Sequence, residues 1–462
     1  MKFTGTHMAL LVGAGFAAGM AAGPGGPTLA RLAGIVPAAA EGSDAQQTDR
    51  LLALFGNVLG IVRADYVEPV APHKLVDNAL NGMLTGLDPH SSYMTEQQWR
   101  DMQTETEGKF GGIGLEVTDN DGLLQVVSPI DGTPAARAGL KAGDLITAVN
   151  GKTVEGLSLH DAVAEMRGEP DTKLTLTVKR QGVSTPLEFA LVRQIIHVQT
   201  VKSRLAGDIA VIRISEFTEQ ANPGLRAAIR KLRADAGGRL RGIVLDLRND
   251  PGGLLDQAIS VSNDFLTRGD IVSTHGRRAR DDQSWSAESG DDISGHLPVV
   301  VLINNGTASA SEIVAGALQD NRRALVLGTQ SFGKGSVQTL IPMPGNGAIR
   351  LTTARYYTPS GRSIQGLGIT PNVEVHATRT PEPHFGPAHE SDLLHILANQ
   401  GGAKPAMPPP PVELPAIAQQ IPKLPPVNWP AFDPNKPETD FQLQQALLLV
   451  KGMAAGPQAA SR

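Results

Sequence analysis

The feature that most constrains the fold is an alternation of apolar strand-like runs and helical segments across residues 195–376. The runs DIAVIRISEF, GIVLDLRND, PVVVLINN and ALVLG are almost continuously apolar at their centres. Such runs are typical of strands that are buried on both faces of a sheet. Helical spacing of apolar residues separates them, at residues 225–232, 254–265 and 309–319. This part of the chain is therefore predicted to form a mainly parallel sheet covered by helices.

The flanking regions have a different character, and 462 residues exceed what a single core normally holds. Residues 45–108 show helical spacing that Pro69 and Pro72 interrupt, and they are interpreted as a packing or self-association element. Residues 377–436 are proline-rich and are predicted to lack regular structure. Helical spacing returns in residues 437–462, where one helix is expected to dock back on the body.

Residues 109–193 form a separate predicted domain of short alternating strands and one helix. It begins with a glycine-rich run, Gly112-Ile113-Gly114-Leu115. Successive backbone amides around such a turn can point at one carboxylate, and an exposed strand edge beside them can accept a peptide as an added strand. Candidates for a pocket that holds an apolar terminal side chain are Leu115, Val117, Leu159, Val163 and Met166. Ordinary core packing is the alternative interpretation of each.

The amino-acid composition excludes or disfavours several classes of function. The formal charge of −5 does not favour nucleic-acid binding, which needs clustered Lys and Arg. The chain contains no cysteine, so disulfides, thiolate zinc sites and cysteine nucleophiles are excluded. Any nucleophile must be an oxygen atom, and no metal or organic cofactor is expected.

Residues 1–40 have the pattern of an export signal. Lys2 precedes an uncharged, apolar run that begins at Met8, and three alanines stand just before Glu41, where cleavage is expected. An uncleaved anchor in the inner membrane is the alternative, because the run reaches about the 20 residues that span a bilayer. Both interpretations place the main body in the periplasm or elsewhere outside the cytoplasm.

The strongest candidate nucleophile is Ser309. It lies in NNGTASASEI, directly after the apolar run PVVVLI and directly before a predicted helix. Free amides and the positive end of a helix dipole at this position would stabilise developing negative charge. Plain N-capping of the helix would require the same residue types, so the motif alone leaves both interpretations open.

Lys334 is the candidate general base, because Gly333-Lys334-Gly335 returns in the loop next to that of Ser309. A free lysine titrates at about 10.4, so burial must lower its pKa by roughly 2 to 3 units for this role. Gln338 can orient the amine without adding a carboxylate. The alternatives are a solvated loop lysine or a phosphate-binding lysine, although Gly335 stands where a phosphate loop carries Ser or Thr.

Four segments, GTASASEIVAGALQD, SFGKGSVQT, LDLRNDPGG and ITPNVEV, resemble the C-terminal processing peptidases, also called tail-specific proteases. The resemblance extends from about residue 50 to residue 376, and residues 109–193 resemble a PDZ domain. It implies an α/β multidomain protein, with a crotonase-like αβ protease core at residues 194–376, an inserted PDZ domain and an N-terminal helical region. It also implies that Ser309 is the nucleophile, Lys334 the general base and Gln338 the residue that orients Lys334.

Further expectations concern substrates, partners and the oxyanion of the reaction. Protein or peptide substrates with apolar C termini would bind the PDZ domain, with an activating adaptor protein and self-association as additional expectations. Backbone amides of Gly252 or Gly253, together with that of Ala310, are the candidates for holding the oxyanion of a tetrahedral intermediate. Asp250 stands where the family often carries Asn, and its charge is expected to need a partner such as Arg248.

Other interpretations remain open at this stage. A Ser-His-Asp hydrolase would need a histidine such as His275 or His296, but a G-x-S-x-G motif is absent. Ser311 is the close rival of Ser309 as nucleophile. Two alternatives remain: a PDZ scaffold without catalytic activity, and a crotonase enzyme that uses coenzyme A.

Overall fold

The computed structural model describes residues 42–120, 123–130, 132–154, 156–157, 159–288, 290, 292–380, 387–399 and 414–455. The predicted export signal or anchor, residues 1–40, lies outside these described residues. Within them, no helix has both the length and the apolar character needed to cross a bilayer. The chain divides into two compact units, Met1–Ala79 and Leu80–Arg462.

The helices of the described residues are α1 Gly42–Asp65, α2 Pro72–Thr85, α3 Glu96–Glu107, α4 Pro134–Arg137, α5 Leu159–Met166, α6 Ala221–Asp235, α7 Leu255–Asn263, α8 Ala310–Asp320 and α9 Phe441–Ala454. The strands are β1 Ser92–Met94, β2 Lys109–Gly112, β3 Leu115–Asn120, β4 Leu123–Pro129, β5 Leu145–Val149, β6 Lys152–Thr153, β7 Lys173–Lys179, β8 Leu187–Val192, β9 Gln194–His197, β10 Val201–Ala206, β11 Ile209–Ile214, β12 Gly242–Asp246, β13 Asp270–Gly276, β14 Gln283–Ser286, β15 Val299–Ile303, β16 Leu325–Gly328, β17 Ser336–Pro342, β18 Ala348–Tyr357 and β19 Val373–Glu374.

The central sheet has the strand order β10-β11-β12-β15-β16-β19. The strands β11, β12, β15, β16 and β19 are parallel, and β10 is antiparallel to β11. The prediction of a mainly parallel sheet is confirmed. Its strands are buried on both faces, since Ile243 and Leu245 pack into one apolar cluster and Val244 packs into another.

The C-terminal helix α9 covers one face of this sheet, as the sequence predicts. Leu443, Leu447 and Val450 pack into the same cluster as Val244. Helix α9 approaches strand β12 closely, because a Cβ added at Gly242 would lie 2.1 Å from the Cγ1 atom of Val450. Proline-rich residues therefore lead into a helix that completes the core.

A second sheet, β1-β18-β13-β14 with β17 paired to β18, lies in the same unit. Its strand β1 comes from the region predicted to be N-terminal and helical, and it pairs with residues 348–350 of β18. The Glu219 amide also donates to the Thr106 carbonyl, at 3.1 Å. Residues 80–108 thus belong to the large unit, whereas the sequence placed this boundary at residue 108. The spacing in the sequence could not show β1 because the strand has only three residues.

The predicted domain at residues 109–193 forms a sheet of order β3-β4-β5-β7-β8, with β6 paired to β5. Helix α5 lies over it, and Ile113, Leu174 and Leu176 are among its buried core residues. The strands that lead into and out of this domain, β2 and β9, pair with each other. Strand β3 pairs only with β4 among the described residues, so its other edge remains open.

Candidate active site

Ser309 lies between β15 and α8, at the N-cap position of the helix. Its φ of 56° and ψ of −115° are rare for a residue with a side chain. The residue is half-buried, while Ala308 and Ala310 beside it are buried. A sharp bend thus holds Ser309 at the positive end of an 11-residue helix.

A buried carboxylate joins the Ser309 loop to the Lys334 loop. One oxygen of Glu312, Oε2, accepts the Ser309 amide at 2.8 Å and the Lys334 amide at 2.9 Å. The other, Oε1, accepts the Ser331 hydroxyl at 2.5 Å and the Gly333 amide at 2.8 Å. Burial raises the pKa of Glu312 to about 7, against the lowering effect of these hydrogen bonds. Sequence reasoning missed this role, although S-x-x-E at Ser309 to Glu312 is a capping-box pattern.

Tyr356 makes a second bridge between the same two loops. Its buried hydroxyl donates to the carbonyl of Ser309 at 3.0 Å and also to the carbonyl of Lys334. The residue lies near the end of β18, which the sequence did not connect with the site. Glu312 therefore fixes the amides of Ser309 and Lys334, and Tyr356 fixes their carbonyls.

The environment of Lys334 favours its uncharged form. Burial lowers the pKa of the Lys334 amine, and the positive charge of Arg350 lowers it further. The carboxyls of Glu390, Glu312 and Asp88 oppose this effect. Within the described residues, Lys334 forms no salt bridge with any of them.

Gln338 lies on β17, four residues after Lys334. Its Nε2 donates to Ser336 Oγ at 2.9 Å and to Thr352 Oγ1 at 3.2 Å. Thr352 Oγ1 in turn donates to Asp88 Oδ1 at 3.0 Å. These bonds fix the orientation of the carboxamide by its nitrogen, and its oxygen receives no hydrogen bond from the described residues.

Gly252 and Gly253, here called the glycine pair, lie against the Ser309 loop. A Cβ added at Gly252 would lie 2.8 Å from Ser309 Cβ and 2.9 Å from the Ala310 nitrogen. The Gly252 amide is not available to an oxyanion, because it donates to Asp250 Oδ1 at 2.9 Å. Gly253 forms a parallel bridge with Phe217, in which Gly252 and Leu254 supply the hydrogen bonds. The Gly253 N–H consequently points away from Phe217.

The expected pairing of Asp250 with Arg248 is not observed. Arg248 binds Asp246 at 2.8 Å and Asp440 at 2.7 Å, and Asp440 caps α9. The guanidinium is therefore held on the side of the terminal helix. Asp250 has 0% exposure, and its Oδ2 has no hydrogen-bond partner in the described part of the chain.

Ser311 and the histidines differ from Ser309 in their surroundings. Ser311 is fully buried and its hydroxyl donates to the Asp250 carbonyl at 3.1 Å. His275 pairs with Asp282 at 3.0 Å, and His296 lies 3.4 Å from Asp292. No hydrogen bond joins either histidine to Ser309 in the described residues.

The predicted peptide-binding residues divide into two groups. Ile113 and Met166 are buried in the core of their domain, so packing accounts for them. Leu115, Val117 and Val163 are partly buried against that core, and Leu159 is exposed. Gly112 ends β2, and the Gly114 carbonyl accepts the Ile130 amide at 3.0 Å. Leu115 and Val117 lie on the open-edged strand β3, while Leu159 and Val163 lie on α5.

The described residues contain no group of three or more His, Asp or Glu side chains arranged to hold a metal ion. Direct hydrogen bonds from Glu312 and Tyr356 join the backbones of Ser309 and Lys334.

Family models match three parts of the chain. The model described as peptidase family S41 matches residues 208–375, which contain Ser309 and Lys334. A PDZ domain model matches residues 125–180. A model described as the activating protease CtpB N-terminal domain matches residues 33–98.

Two curated relatives and one solved structure are similar to much of this chain. A carboxy-terminal-processing protease of Bartonella bacilliformis is 49% identical over 412 residues, 88% of this chain and 90% of that protein. A probable CtpA-like serine protease of Staphylococcus aureus is 36% identical over 320 residues, 69% of this chain and 64% of that protein. The solved photosystem II D1 C-terminal processing protease aligns with 70% of this chain and 92% of its own, at 29% identity and a TM-score of 0.41. The extent and identity of the first of these matches show that the chain belongs to the carboxy-terminal-processing proteases of peptidase family S41, with an inserted PDZ domain.

Proposed function

We propose that the chain is a serine endopeptidase in which Ser309 is the nucleophile, Lys334 the general base and Gln338 the residue that orients Lys334. The observation that carries this proposal is the double bridge between the two loops. Glu312 holds the amides of Ser309 and Lys334, and Tyr356 holds their carbonyls. A half-buried lysine with a lowered pKa, in a loop held to that of a serine on a strained bend, is the combination that base-activated nucleophilic attack needs.

The reaction would proceed in two acyl-transfer steps. Ser309 Oγ attacks the substrate carbonyl carbon while the neutral Lys334 amine takes the hydroxyl proton. The C–N bond then breaks, and the Lys334 ammonium returns the proton to the leaving amine. Water attacks the carbonyl carbon of the resulting Ser309 ester while the Lys334 amine takes one of its protons. The C–O bond to Ser309 then breaks, the Lys334 ammonium returns the proton to Ser309 Oγ, and the N-terminal fragment leaves with a new C-terminal carboxyl group.

The oxyanion of each tetrahedral intermediate would lie between the amides of Gly253 and Ala310. The Gly252 amide is engaged by Asp250, so Gly253 is the better candidate of the glycine pair. Neither the Gly253 nor the Ala310 amide donates to another described residue outside regular helix bonding. Removal of one such donor typically costs about 100- to 1,000-fold in rate.

Substrate selection is assigned to the PDZ domain. The open edge of β3 can pair with an extended peptide, and the amides of Gly112, Ile113, Gly114 and Leu115 are the candidates for its terminal carboxylate. Leu115 on β3 and Leu159 and Val163 on α5 are the candidates for the apolar pocket. A protein substrate that ends in apolar residues would bind there before it is cut.

The cellular setting remains a proposal from the sequence. Export by residues 1–40 would place the protein in the periplasm, free or attached to the inner membrane. An activating adaptor and self-association through the N-terminal helical region are further parts of this proposal, and apolar residues of α1 such as Leu52 and Phe55 are exposed. Detection of the protein in the cytoplasmic fraction, with residues 1–40 still attached, would contradict the assigned location.

The proposed nucleophile is tested by matched serine variants. Ser309→Ala and Ser311→Ala are purified, their folding is checked by circular dichroism, and each is mixed with fluorescently labelled casein. Ser309→Ala is expected to lose all digestion, while Ser311→Ala retains it, since Ser311 serves the packing of the loop. An active Ser309→Ala variant would reject the proposal.

A further inference from the structure

Asp250 is a buried acid in the wall of the proposed oxyanion site. Its side chain has 0% exposure. The loop that carries Asp250 forms hydrogen bonds with residues on both sides of the bend at Ser309. The Asp250 carbonyl accepts the Ala308 amide at 2.9 Å and the Ser311 hydroxyl at 3.1 Å. Its side-chain Oδ1 accepts the Gly252 amide at 2.9 Å. Asp250 thus connects the residues on both sides of Ser309 with the glycine pair.

The second carboxyl oxygen of Asp250 has an unusual environment. Oδ2 is buried and has no hydrogen-bond partner in the described residues. A charged carboxylate there would have an unpaired buried oxygen, which is costly. A protonated carboxyl carries no charge and still accepts the Gly252 amide through Oδ1.

We propose that Asp250 is a positioning residue that supports catalysis only as the uncharged acid. In this form Oδ1 holds the Gly252 amide and thereby directs the next amide, that of Gly253, towards the reacting carbonyl. Loss of the proton would leave the same hydrogen bond in place but would add a full negative charge beside the oxyanion. This inference rests on the proposed function, because it requires Ser309 to be the nucleophile.

The charges that face Asp250 come from neighbouring elements. Glu216, in the segment after β11, is negative and opposes ionisation of Asp250, whereas Arg213 on β11 favours it. Arg213 is partly neutralised by Asp246, at 3.2 Å. Helix α8 presents the uncharged Ser311 hydroxyl to this loop, and hydrogen bonds from the Gly252 amide and from Ser311 lower the pKa of the Asp250 carboxyl. Burial is the largest effect and raises the pKa of Asp250 to about 7, so ionisation would fall within an accessible pH range.

The proposal predicts that the pH–rate profile has an alkaline limb, in which activity falls because Asp250 ionises. Activity of the wild type on labelled casein should rise on the acid side as Lys334 loses its proton, then fall by about tenfold or more towards about pH 9. Asp250→Asn keeps an oxygen that can accept the Gly252 amide but cannot ionise. Its activity should be close to wild type at about pH 6 and should show no alkaline fall. A merely structural role would lower activity equally at every pH.

Glu216→Gln provides a second variant in case Asp250→Asn does not fold. Removal of the neighbouring negative charge makes ionisation of Asp250 easier, so the alkaline limb should move to lower pH. An alkaline limb that is the same in wild type, Asp250→Asn and Glu216→Gln would overturn the proposal. If Ser309→Ala remains inactive in that case, only the role of Asp250 is rejected, whereas an active Ser309→Ala rejects the proposed function itself.

Discussion

The backbone amides of Ser309 and Lys334 donate to the same oxygen atom, Oε2 of Glu312, at 2.8 and 2.9 Å. The Tyr356 hydroxyl donates to the carbonyls of both residues, and the Phe332 amide also joins their loops by donating to the Thr307 carbonyl at 2.9 Å. The alignment of the proposed dyad therefore depends on side chains that take no part in the chemistry.

Replacement of Glu312 tests this dependence. Glu312→Gln keeps the size of the side chain but turns one acceptor oxygen into a donor, which cannot accept the amides it faces. The Ser309 and Lys334 loops should separate slightly, and a displacement of about 1 Å can cost about 100-fold in rate. We expect kcat on casein to fall by about 10- to 100-fold with KM little changed. Wild-type kcat in a folded Glu312→Gln protein would contradict the positioning role.

Tyr356→Phe removes only a hydroxyl and keeps the buried ring. The carbonyls of Ser309 and Lys334 lose their shared donor, at a cost of about 1 to 2 kcal/mol in stability. We expect kcat to fall by about tenfold and urea unfolding to shift to a lower concentration. Tyr357→Phe on the adjacent, partly buried side chain is the matched control and should leave kcat within about twofold of wild type.

Replacement of Gln338 should shift the pH at which activity rises as Lys334 loses its proton. Burial lowers the pKa of the Lys334 amine, so the wild type should gain activity as pH rises through that pKa. If Gln338 orients Lys334 as proposed, Gln338→Glu would add a carboxylate beside the amine, favour its charged form and move this acid limb to higher pH. Gln283→Glu adds the same charge on the exposed strand β14 and should not move the limb. An unchanged limb in Gln338→Glu would mean that Gln338 does not face the amine.

Stability should depend on pH through Asp250. Burial raises its pKa to about 7, so between about pH 4 and pH 7 the folded state binds more protons than the unfolded chain. Stability therefore falls as pH rises through this window, and the contribution of Asp250 amounts to about 3 to 5 kcal/mol. Asp250→Asn should lose less stability than wild type between about pH 5 and pH 8 in urea unfolding. Equal losses would mean that Asp250 does not titrate there.

Tail selection is tested with an unfolded reporter protein that ends in either three apolar or three acidic residues. The apolar tail should be cut faster, because the apolar pocket proposed next to Leu115 and Val163 would not accept an acidic tail. Leu159→Asp should reduce the difference between the two reporters. Equal rates on both reporters with the wild type would contradict selection by the PDZ domain.

The sequence predicted the elements that carry local periodicity. Continuous apolar runs indicated the parallel strands, and the spacing of Leu443, Leu447 and Val450 indicated the docking of α9. The order of the predicted strands and helices placed Ser309 and Lys334 in neighbouring loops, and the two bridges in the structure join those loops.

Contacts between distant residues could not be predicted in the same way. Arg248 was expected to neutralise Asp250 because the two are close in sequence, yet it binds Asp440, which α9 brings from 192 residues away. His90 pairs with the buried Glu390 across 300 residues. Which of several acidic residues meets a given arginine depends on tertiary packing, and one sequence contains no periodic signal for it.

The most direct test of the central claim is digestion of labelled casein by Lys334→Ala, with Lys451→Ala as a control at an exposed position of α9. In the proposed mechanism an uncharged amine at residue 334 takes the proton of Ser309, so Lys334→Ala should lose activity by at least about 1,000-fold while it remains folded. Lys451→Ala should digest casein at the wild-type rate. Digestion by Lys334→Ala at a rate close to that of the control would show that Lys334 is not the general base.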